Sequence, residues 1–372
     1  MRNDEPIGRP PRPERILVIR LGALGDVLRT LPAVAALRAL FPASHLAWLV
    51  EPPSEGAVRL SGYADETLVF PRGELVESLR RANAIRLSGL LGGFVRRLRA
   101  RRFDCVLDFH GIAKSGLLAR LSGSPLRYGF DFGVAREGAA FFANRRVPLP
   151  RPHVSRHERN AALARGFARE AVIPDSPLLA ATPAARASLE GALEAMGRPS
   201  ASGFVLLHPG SSDRARHKRY APTAWSTVAR LLVGAGFDVW VAAGPSAEER
   251  ALARAIVEGA GEGVVAAPAT EGFDALVALI ERAGLFAACD SGPLHAATLC
   301  GVPVVQLVGP TDPVHNEPGP ASPWRRLHVP LPCSPCRRGC ADPACMRAIA
   351  PHRVAGTIAE LLAQTRGAEA SR

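Results

Sequence analysis

The sequence predicts an α/β chain made of two doubly wound, Rossmann-like halves. Three observations carry this expectation. Strand-like and helix-like stretches alternate in two separate series, one opening at Arg15 and one near Gly203, and such alternation builds parallel sheets joined by right-handed crossovers. The length, 372 residues, suits two domains with a cleft between them. No apolar run reaches the roughly 18 residues that would suggest a membrane-crossing helix.

The first series starts with "RILVIR" (15–20), a short apolar run that reads as a buried strand. "VLRTLPAVAALRALFP" (27–42) has apolar residues at helical spacing, with Pro32 close enough to the start to be tolerated or to make a kink. "HLAWLV" (45–50) and "FDCVLDFHG" (103–111) are further strands, and "SGLLARLSG" after the second is a helix. The second series runs through the strand "GFVLLHPG", the helix "PTAWSTVARLLVGAG", the strand "FDVWVAAGP" and the helix "SAEERALARAIVEGAG", for which Ser246 is the expected N-cap. The helix "FDALVALIERAG", the strand "LFAACDSG", the short helix "PLHAATLCG" and the strand "VPVVQLVGPT" complete it. The expected organisation is a disordered lead-in at 1–14, a first domain at 15–175, a linker at 176–202, a second domain at 203–350, and a C-terminal helix and tail at 351–372 that pack back on the rest.

The formal net charge of +12 points to anionic partners: nucleic acid, phosphorylated ligands or a membrane surface. Arginine is heavily used and lysine is scarce, so part of this excess reflects genome composition. Few aromatics interleave with the basic stretches at Arg96–Arg102 and Arg214–Arg219, which argues against a base-stacking nucleic-acid surface. The N-terminus "MRNDEPIGRPPRPER" is charged and proline-rich with no apolar core, so it is not a secretory signal and a cytoplasmic location is expected. Cys105, Cys289 and Cys300 sit in apolar runs as core residues.

In open parallel sheets, ligands bind beyond the carboxyl ends of the strands. Four such loops are candidates: "LGALGD" (21–26), "HPGSS" (208–212), "CDSGPLH" (289–295) and "VGPT" (308–311). All can aim backbone N–H groups and hydroxyls at an anion. The first lacks the G-x-G-x-x-G pattern of dinucleotide sites, and the chain has no G-x-x-x-x-G-K-[ST] phosphate loop, which removes the main support for NAD binding or ATP hydrolysis. "CDSGPLH" reads equally as an N-cap aspartate followed by a core histidine. Within "RARHKRY", which is otherwise an ordinary solvated basic run, Lys218 follows a strand-end turn and is the cation placed to meet a phosphate.

Taken in order, "GDVLRTLP", "HPGSS…K" and "DSGPLHAA…GVPVVQLVGPTDP" resemble glycosyltransferase family 9, the ADP-heptose:lipopolysaccharide heptosyltransferases and their relatives, over about residues 15–364. The resemblance implies a GT-B fold, two Rossmann-like domains facing across a cleft, with the acceptor on the first and the sugar nucleotide on the second. It implies transfer of a heptose or related sugar, with inversion, from an ADP-sugar to a lipopolysaccharide core-type acceptor. Asp26 then matches the catalytic base, on an acceptor-side loop shaped by Gly22 and Gly25. That agrees with the chemistry: inversion needs a base on the face opposite the leaving group. Lys218 matches the phosphate-binding lysine, Ser211 or Ser212 the phosphate-contacting hydroxyl, and Asp290, Ser291, Gly292 and His295 the donor motif, with Ser in place of Thr. Such sites use protein donors in place of a divalent ion, so no essential metal is expected. The implied partners are the ADP-sugar, the glycolipid acceptor and an anionic membrane surface on which the protein sits peripherally as a monomer, with no nucleic acid.

This sequence departs from the family in "KRYAP", where a Lys-x-Trp-Pro run is usual, and in a long "SSDRARHK" spacer, which leaves Arg216 or Arg219 able to share the role of Lys218. Near the C-terminus, Cys333, Cys336, Cys340 and Cys345 are spaced C-x2-C-x3-C-x4-C and could supply four thiolates to a structural zinc. The compact run reads equally as a loop of reduced thiols. Two other readings stand beside the transferase: another GT-B sugar-nucleotide enzyme such as an epimerase, for which no second acid–base carboxylate pair is evident, and a non-catalytic basic nucleic-acid-binding protein with no use for Asp26.

Overall fold

The computed structural model describes residues 13–199, 201–336, 339–340 and 342–370. The lead-in expected at 1–14 lies outside these up to residue 12. The chain forms two compact units, one ending at Pro174 and one beginning at Asp175.

The first unit is built on β1 (Arg15–Ile19), β2 (His45–Val50), β3 (Glu66–Val69), β4 (Cys105–Asp108), β5 (Leu126–Phe130) and β6 (Arg145–Val147). They form one sheet in the order β3-β2-β1-β4-β5-β6, and every pairing is parallel. Helices fill the connections: α1 (Leu24–Leu28), α2 (Leu31–Leu40), α3 (Glu55–Ser61), α4 (Arg72–Arg80), α5 (Ala84–Ala100), α6 (Ala113–Leu121) and α7 (Arg156–Phe167). The helical pattern expected over 27–42 divides at Thr30, with Pro32 in the first turn of α2, where its missing N–H costs nothing. β1 and β4 are apolar and buried, as strands covered by helices on both faces must be.

The second unit repeats the plan. β7 (Phe204–His208), β8 (Val239–Val241), β9 (Val264–Ala266), β10 (Ala283–Cys289), β11 (Val304–Val308) and β12 (Trp324–His328) form a six-stranded sheet in the order β12-β11-β10-β7-β8-β9, again all parallel. Its helices are α8 (Pro183–Ala195), α9 (Pro222–Gly234), α10 (Ala247–Ala260), α11 (Phe273–Arg282), α12 (Gly292–Leu299), α13 (Ala344–Arg347) and α14 (Pro351–Ala370). Ser246 caps α10, accepting from the Glu249 N–H in a capping box. The stretch 176–202, expected as a linker, carries α8 and belongs to this unit. The Thr182 hydroxyl donates to Asp274 of α11 at 2.6 Å, and Arg186 pairs with Glu281. The C-terminal helix α14 buries Val354, Ile358, Leu361 and Leu362 in the same core as Trp225 and Leu207.

Each sheet therefore has the same order, with its first strand beside its fourth. Connections leaving those two strands turn to opposite faces, and the crevice between them opens at their carboxyl ends. In the first unit this switch point lies between the ends of β1 and β4. In the second it lies between β7 and β10.

β10 carries the second switch point and is pinned by Gly284, where its pairing with β7 shifts register. A Cβ at Gly284 would stand 2.7 Å from the backbone oxygen of Gly203, and a backbone cannot swing aside. Gly284→Ala is expected to cost on the order of 1–3 kcal/mol and lower the thermal midpoint by roughly 2–10 °C. An unchanged midpoint in a melting experiment would show that the strands can part without penalty.

Candidate active site

Arg20 follows β1, and the chain then turns through Gly22, which adopts φ +112, a conformation that favours glycine. Asp26 was expected on a loop; it lies in the first turn of α1, its N–H bonded to the Ala23 carbonyl at 2.9 Å, and Gly25 is buried in the same turn. A carboxylate there also meets the positive end of the helix dipole.

Three guanidinium groups converge on Asp26. Arg20, 3% exposed, reaches Oδ2 at 3.0 Å; Arg29, one turn along, reaches Oδ1 at 2.9 Å; and Arg156, at the start of α7, stands 3.4 Å from Oδ1. The arginines are themselves held. Arg20 donates to the Phe109 carbonyl at 2.9 Å. The Asn160 amide of α7 donates to the Arg29 carbonyl and to the Thr30 hydroxyl, and that hydroxyl donates to the Asp26 carbonyl. Burial by itself would push the Asp26 pKa up, but the fields of Arg20, Arg156 and Arg29 outweigh it and hold the carboxyl well below its usual range. Asp26 keeps 22% of its side chain exposed, so a substrate can reach it.

The rest of this switch point is also positive. Arg159 lies over the Phe130 ring at 4.0 Å and donates to the His110 carbonyl. Its burial, with Arg20 and Arg156 nearby, brings its pKa down to about 9. Burial and the field of Arg20 lower that of His110 to about 3, so its ring is neutral. Asp108, at the end of β4, accepts from the Ser115 hydroxyl and from the N–H groups of His110 and Gly111; burial still raises its pKa. Its bonds shape the loop, and it does not face Asp26 as a second base.

The second unit gathers a different set. Lys218 ends a short 3-10 segment, Asp213–Lys218, and its Nζ donates to Asp290 Oδ2 at 2.8 Å. The Thr311 hydroxyl donates to the same oxygen at 3.2 Å, and His295 Nε2 stands 3.6 Å from Oδ1. The two readings of "CDSGPLH" combine here. His295 is buried, but it faces Asp290, and the N-cap of α12 is Ser291, which makes no side-chain capping bond. The Ser291 hydroxyl is buried with no hydrogen-bond partner, at the mouth of the helix that Gly292 opens.

Arg216 and Arg219 do not share the place of Lys218, because both pair with Glu248. Arg219 also binds Ser211, through the hydroxyl at 3.1 Å and the carbonyl at 2.6 Å, whereas Ser212 is exposed. Tyr220, in the place of the family's usual tryptophan, is buried, stacks edge-on against Trp225 and donates to the Ile349 carbonyl at the base of α14.

The zinc reading of the cysteine run loses its geometry. Among the described residues, no three of its sulfurs lie close enough together to share an ion. Cys345 is drawn into the core beside Gly309, which raises its thiol pKa, while Cys333 and Cys340 are exposed. The Cys336 thiol donates to the Cys333 carbonyl at 3.1 Å.

Residues 92–344 match the profile of glycosyltransferase family 9 (heptosyltransferase). The chain belongs to this family. It is a glycosyltransferase. Lipopolysaccharide heptosyltransferase 1 of Pseudomonas aeruginosa is 26% identical over 94% of this chain and 98% of that one. The Salmonella typhimurium protein of the same name is 25% identical over 80% of this chain and 89% of its own. Among solved structures, Escherichia coli heptosyltransferase WaaC with ADP superposes with a TM-score of 0.71 at 20% identity, covering 93% of this chain and 99% of that one. The Escherichia coli ADP-heptose lipopolysaccharide heptosyltransferase II does so with 0.69 at 18% identity, covering 95% and 99%. These likenesses show that the family 9 chain has the GT-B fold of two parallel six-stranded sheets.

Arg20, Arg29 and Arg156, which contact Asp26, and Thr311, which contacts Asp290, are residues of the candidate site that sequence reasoning did not single out. Arg29 carries a local signal, three residues after Asp26 on a helix. Arg156 lies 130 positions from Asp26, so only the fold brings them together.

Asp26→Asn is expected to lower stability at neutral pH by about 2 kcal/mol, because it leaves the buried Arg20 cation without its counter-charge. The folded pKa lies below the ordinary value of 3.8. The ionised carboxylate therefore stabilises the fold above that value, and the gain is lost only as pH falls through the lower, folded value. The gap in thermal midpoint between the wild type and this variant should hold steady from about pH 8 to pH 5 and narrow only below about pH 4. A gap that closed near neutrality would contradict the ion-paired state.

Proposed function

We propose that this chain is an inverting heptosyltransferase that moves a heptose, or a closely related sugar, from an ADP-sugar to a lipopolysaccharide core-type acceptor. The carrying observation is the carboxylate Asp26, partly exposed among three arginines at the switch point of the first sheet. A site that takes an anionic acceptor and removes a proton from one of its hydroxyls needs both the cations and the acid. The relatives named lipopolysaccharide heptosyltransferase 1, and the similar structures solved with ADP and with ADP-2-deoxy-2-fluoro heptose, support the choice of sugar, nucleotide and acceptor.

Asp26 acts as the general base. While fully ion-paired it is a weak one, since its pKa is held far below that of the hydroxyl it must serve. An acceptor bearing a carboxylate or phosphate would draw Arg29 and Arg156 to itself, relax the field on Asp26 and raise its basicity as the hydroxyl arrives. Arg20, fixed to the Phe109 carbonyl, would keep the carboxylate oriented.

On the donor side the leaving ADP gains charge in the transition state. Lys218, the Ser291 hydroxyl, the exposed Ser212 and the N-terminus of α12 at Gly292 stabilise that charge. Asp290, with Thr311 and His295, holds Lys218 in place. These protein donors supply the stabilisation a divalent ion would give elsewhere. The enzyme works as a monomer, peripheral to an anionic membrane, with no nucleic-acid partner.

The test is transfer from ADP-heptose to a heptose-free lipopolysaccharide acceptor. Asp26→Asn should lower turnover by roughly 10²–10⁴-fold with donor affinity retained. Equal turnover would remove Asp26 as the base, and wild-type inactivity with every nucleotide sugar would sink the transferase assignment for this substrate class. Lys218→Ala should weaken ADP binding by about tenfold or more in a titration. Undiminished affinity would give the phosphate role to another cation.

A further inference from the structure

The first unit carries a helical hairpin, α4 and α5, that none of this chemistry uses. Its inner side is ordinary core: Leu75, Leu87, Leu90, Phe94 and Leu98 pack with Leu68 and Phe70. Its outer side is not an ordinary solvated face. Ile85 is 87% exposed and Leu79 is 67% exposed, the former the most exposed large apolar side chain among the described residues. The two flank the three-residue turn that joins the helices, which is fixed by bonds from the Ala82 N–H to the Leu79 carbonyl and from the Asn83 N–H to the Ser78 carbonyl. Val76, one turn before Leu79, is 39% exposed. Isolated exposed aliphatics need no explanation, but a cluster at the tip of a projecting element does.

The same element is strongly basic. Residues 72–102 contain nine arginines and two glutamates, a formal charge of +7. Arg72, Arg81 and Arg101 pair with Glu51, Glu77 and Glu66. Among the described residues, Arg80, Arg86, Arg96, Arg97 and Arg102 are exposed and make no ion pair with an acid.

Topology tells where the tip points. Phe94 of α5 meets Phe70 edge-on at 5.5 Å, and Phe70 follows β3 with its N–H on the carbonyl of Val50, the last residue of β2. So α5 passes the carboxyl edge of the sheet at Phe94 and descends from there toward the start of β4. Ten residues of α5 precede Phe94, and at 1.5 Å per residue they carry the tip about 15 Å beyond that edge. Asp26 lies at the same edge, after β1.

We infer that the tip of the α4–α5 hairpin docks on an anionic lipid bilayer, with Leu79 and Ile85 entering the interface and Arg80, Arg86 and their neighbours meeting the headgroups. Aliphatic side chains ringed by arginine, on a hairpin whose one aromatic, Phe94, is buried, suit a lipid surface and not a nucleic acid. The inference deepens the proposed function, on whose acceptor class it rests: the docked tip would turn the Asp26 edge toward a substrate anchored in the same membrane.

The test is co-sedimentation of the full chain with vesicles of phosphatidylcholine, alone or with about one third phosphatidylglycerol. Binding should require the anionic lipid and weaken with added salt. Arg80→Glu/Arg86→Glu should reduce it by about tenfold or more, and Leu79→Ser/Ile85→Ser should reduce it at any salt concentration. Both variants should keep the wild-type melting temperature and wild-type turnover on a water-soluble, lipid-free acceptor. Equal binding to neutral vesicles, wild-type binding by either variant, or a dimer dispersed by Leu79→Ser/Ile85→Ser would overturn the assignment. Wild-type inactivity on the soluble acceptor would instead count against the transferase reading, and the vesicle result would stand apart from it.

Discussion

Asp26 must stay charged in a nearly buried turn, and much of the first unit is arranged around that requirement. Burial would neutralise it; three arginines prevent that. Each arginine is in turn held in position by the elements around it. Arg20 bonds the Phe109 backbone after β4, Arg29 is tied through its carbonyl to Asn160, and Arg156 begins a helix whose own cap is the Ser155–Glu158 box. One carboxylate thereby links β1, α1, β4 and α7. The switch-point order of the sheet makes this linkage short, because β1 and β4 are neighbours.

The second unit answers the same geometry with the opposite emphasis. At its switch point the acid is Asp290, 5% exposed, and the side chain that reaches toward solvent is the cation Lys218, at 23%. In the first unit Asp26, at 22%, is more exposed than Arg20 and Arg29 and less exposed than Arg156, at 33%. On the proposed function, the reachable acid of the first unit is the proton acceptor and the reachable cation of the second binds the anion, so two sheets of identical strand order would carry complementary chemistry.

Much of this was legible in the chain. The two series of alternating patterns give both sheets, and the segments that follow β1, β7, β10 and β11 hold Asp26, Ser211, Asp290 and Thr311. Local signals were sound where the cause is local, as at Ser246 and at Pro32. What could not be read depends on packing. Arg156 reaches Asp26 only because α7 returns across the unit. Arg219, which looks equivalent to Lys218 in sequence, is withdrawn by Ser211 and Glu248. The C-x2-C-x3-C-x4-C spacing suggests a metal, yet among the described residues no three of its sulfurs lie close enough together to share an ion. The short edge strands β3, β6 and β9 have too few residues to show a period.

Arginine usage is the sharper case. In a chain with this composition an arginine carries little information by itself, and a net charge of +12 fits many partners. The fold sorts the residues by what holds them. Arg20 and Arg29 are buried against a carboxylate, a costly arrangement that packing alone would not select. Arg216 and Arg219 are spent on Glu248. Arg80 and Arg86 are left exposed beside exposed aliphatics, where a purely solvated surface would favour polar neighbours. On the proposed function the first group serves charge at the reacting atoms; the second fixes a loop, and the third offers charge and apolar area together. Composition sums these into one positive number; only their partners in the fold separate arginines buried on a carboxylate from arginines left exposed beside aliphatics.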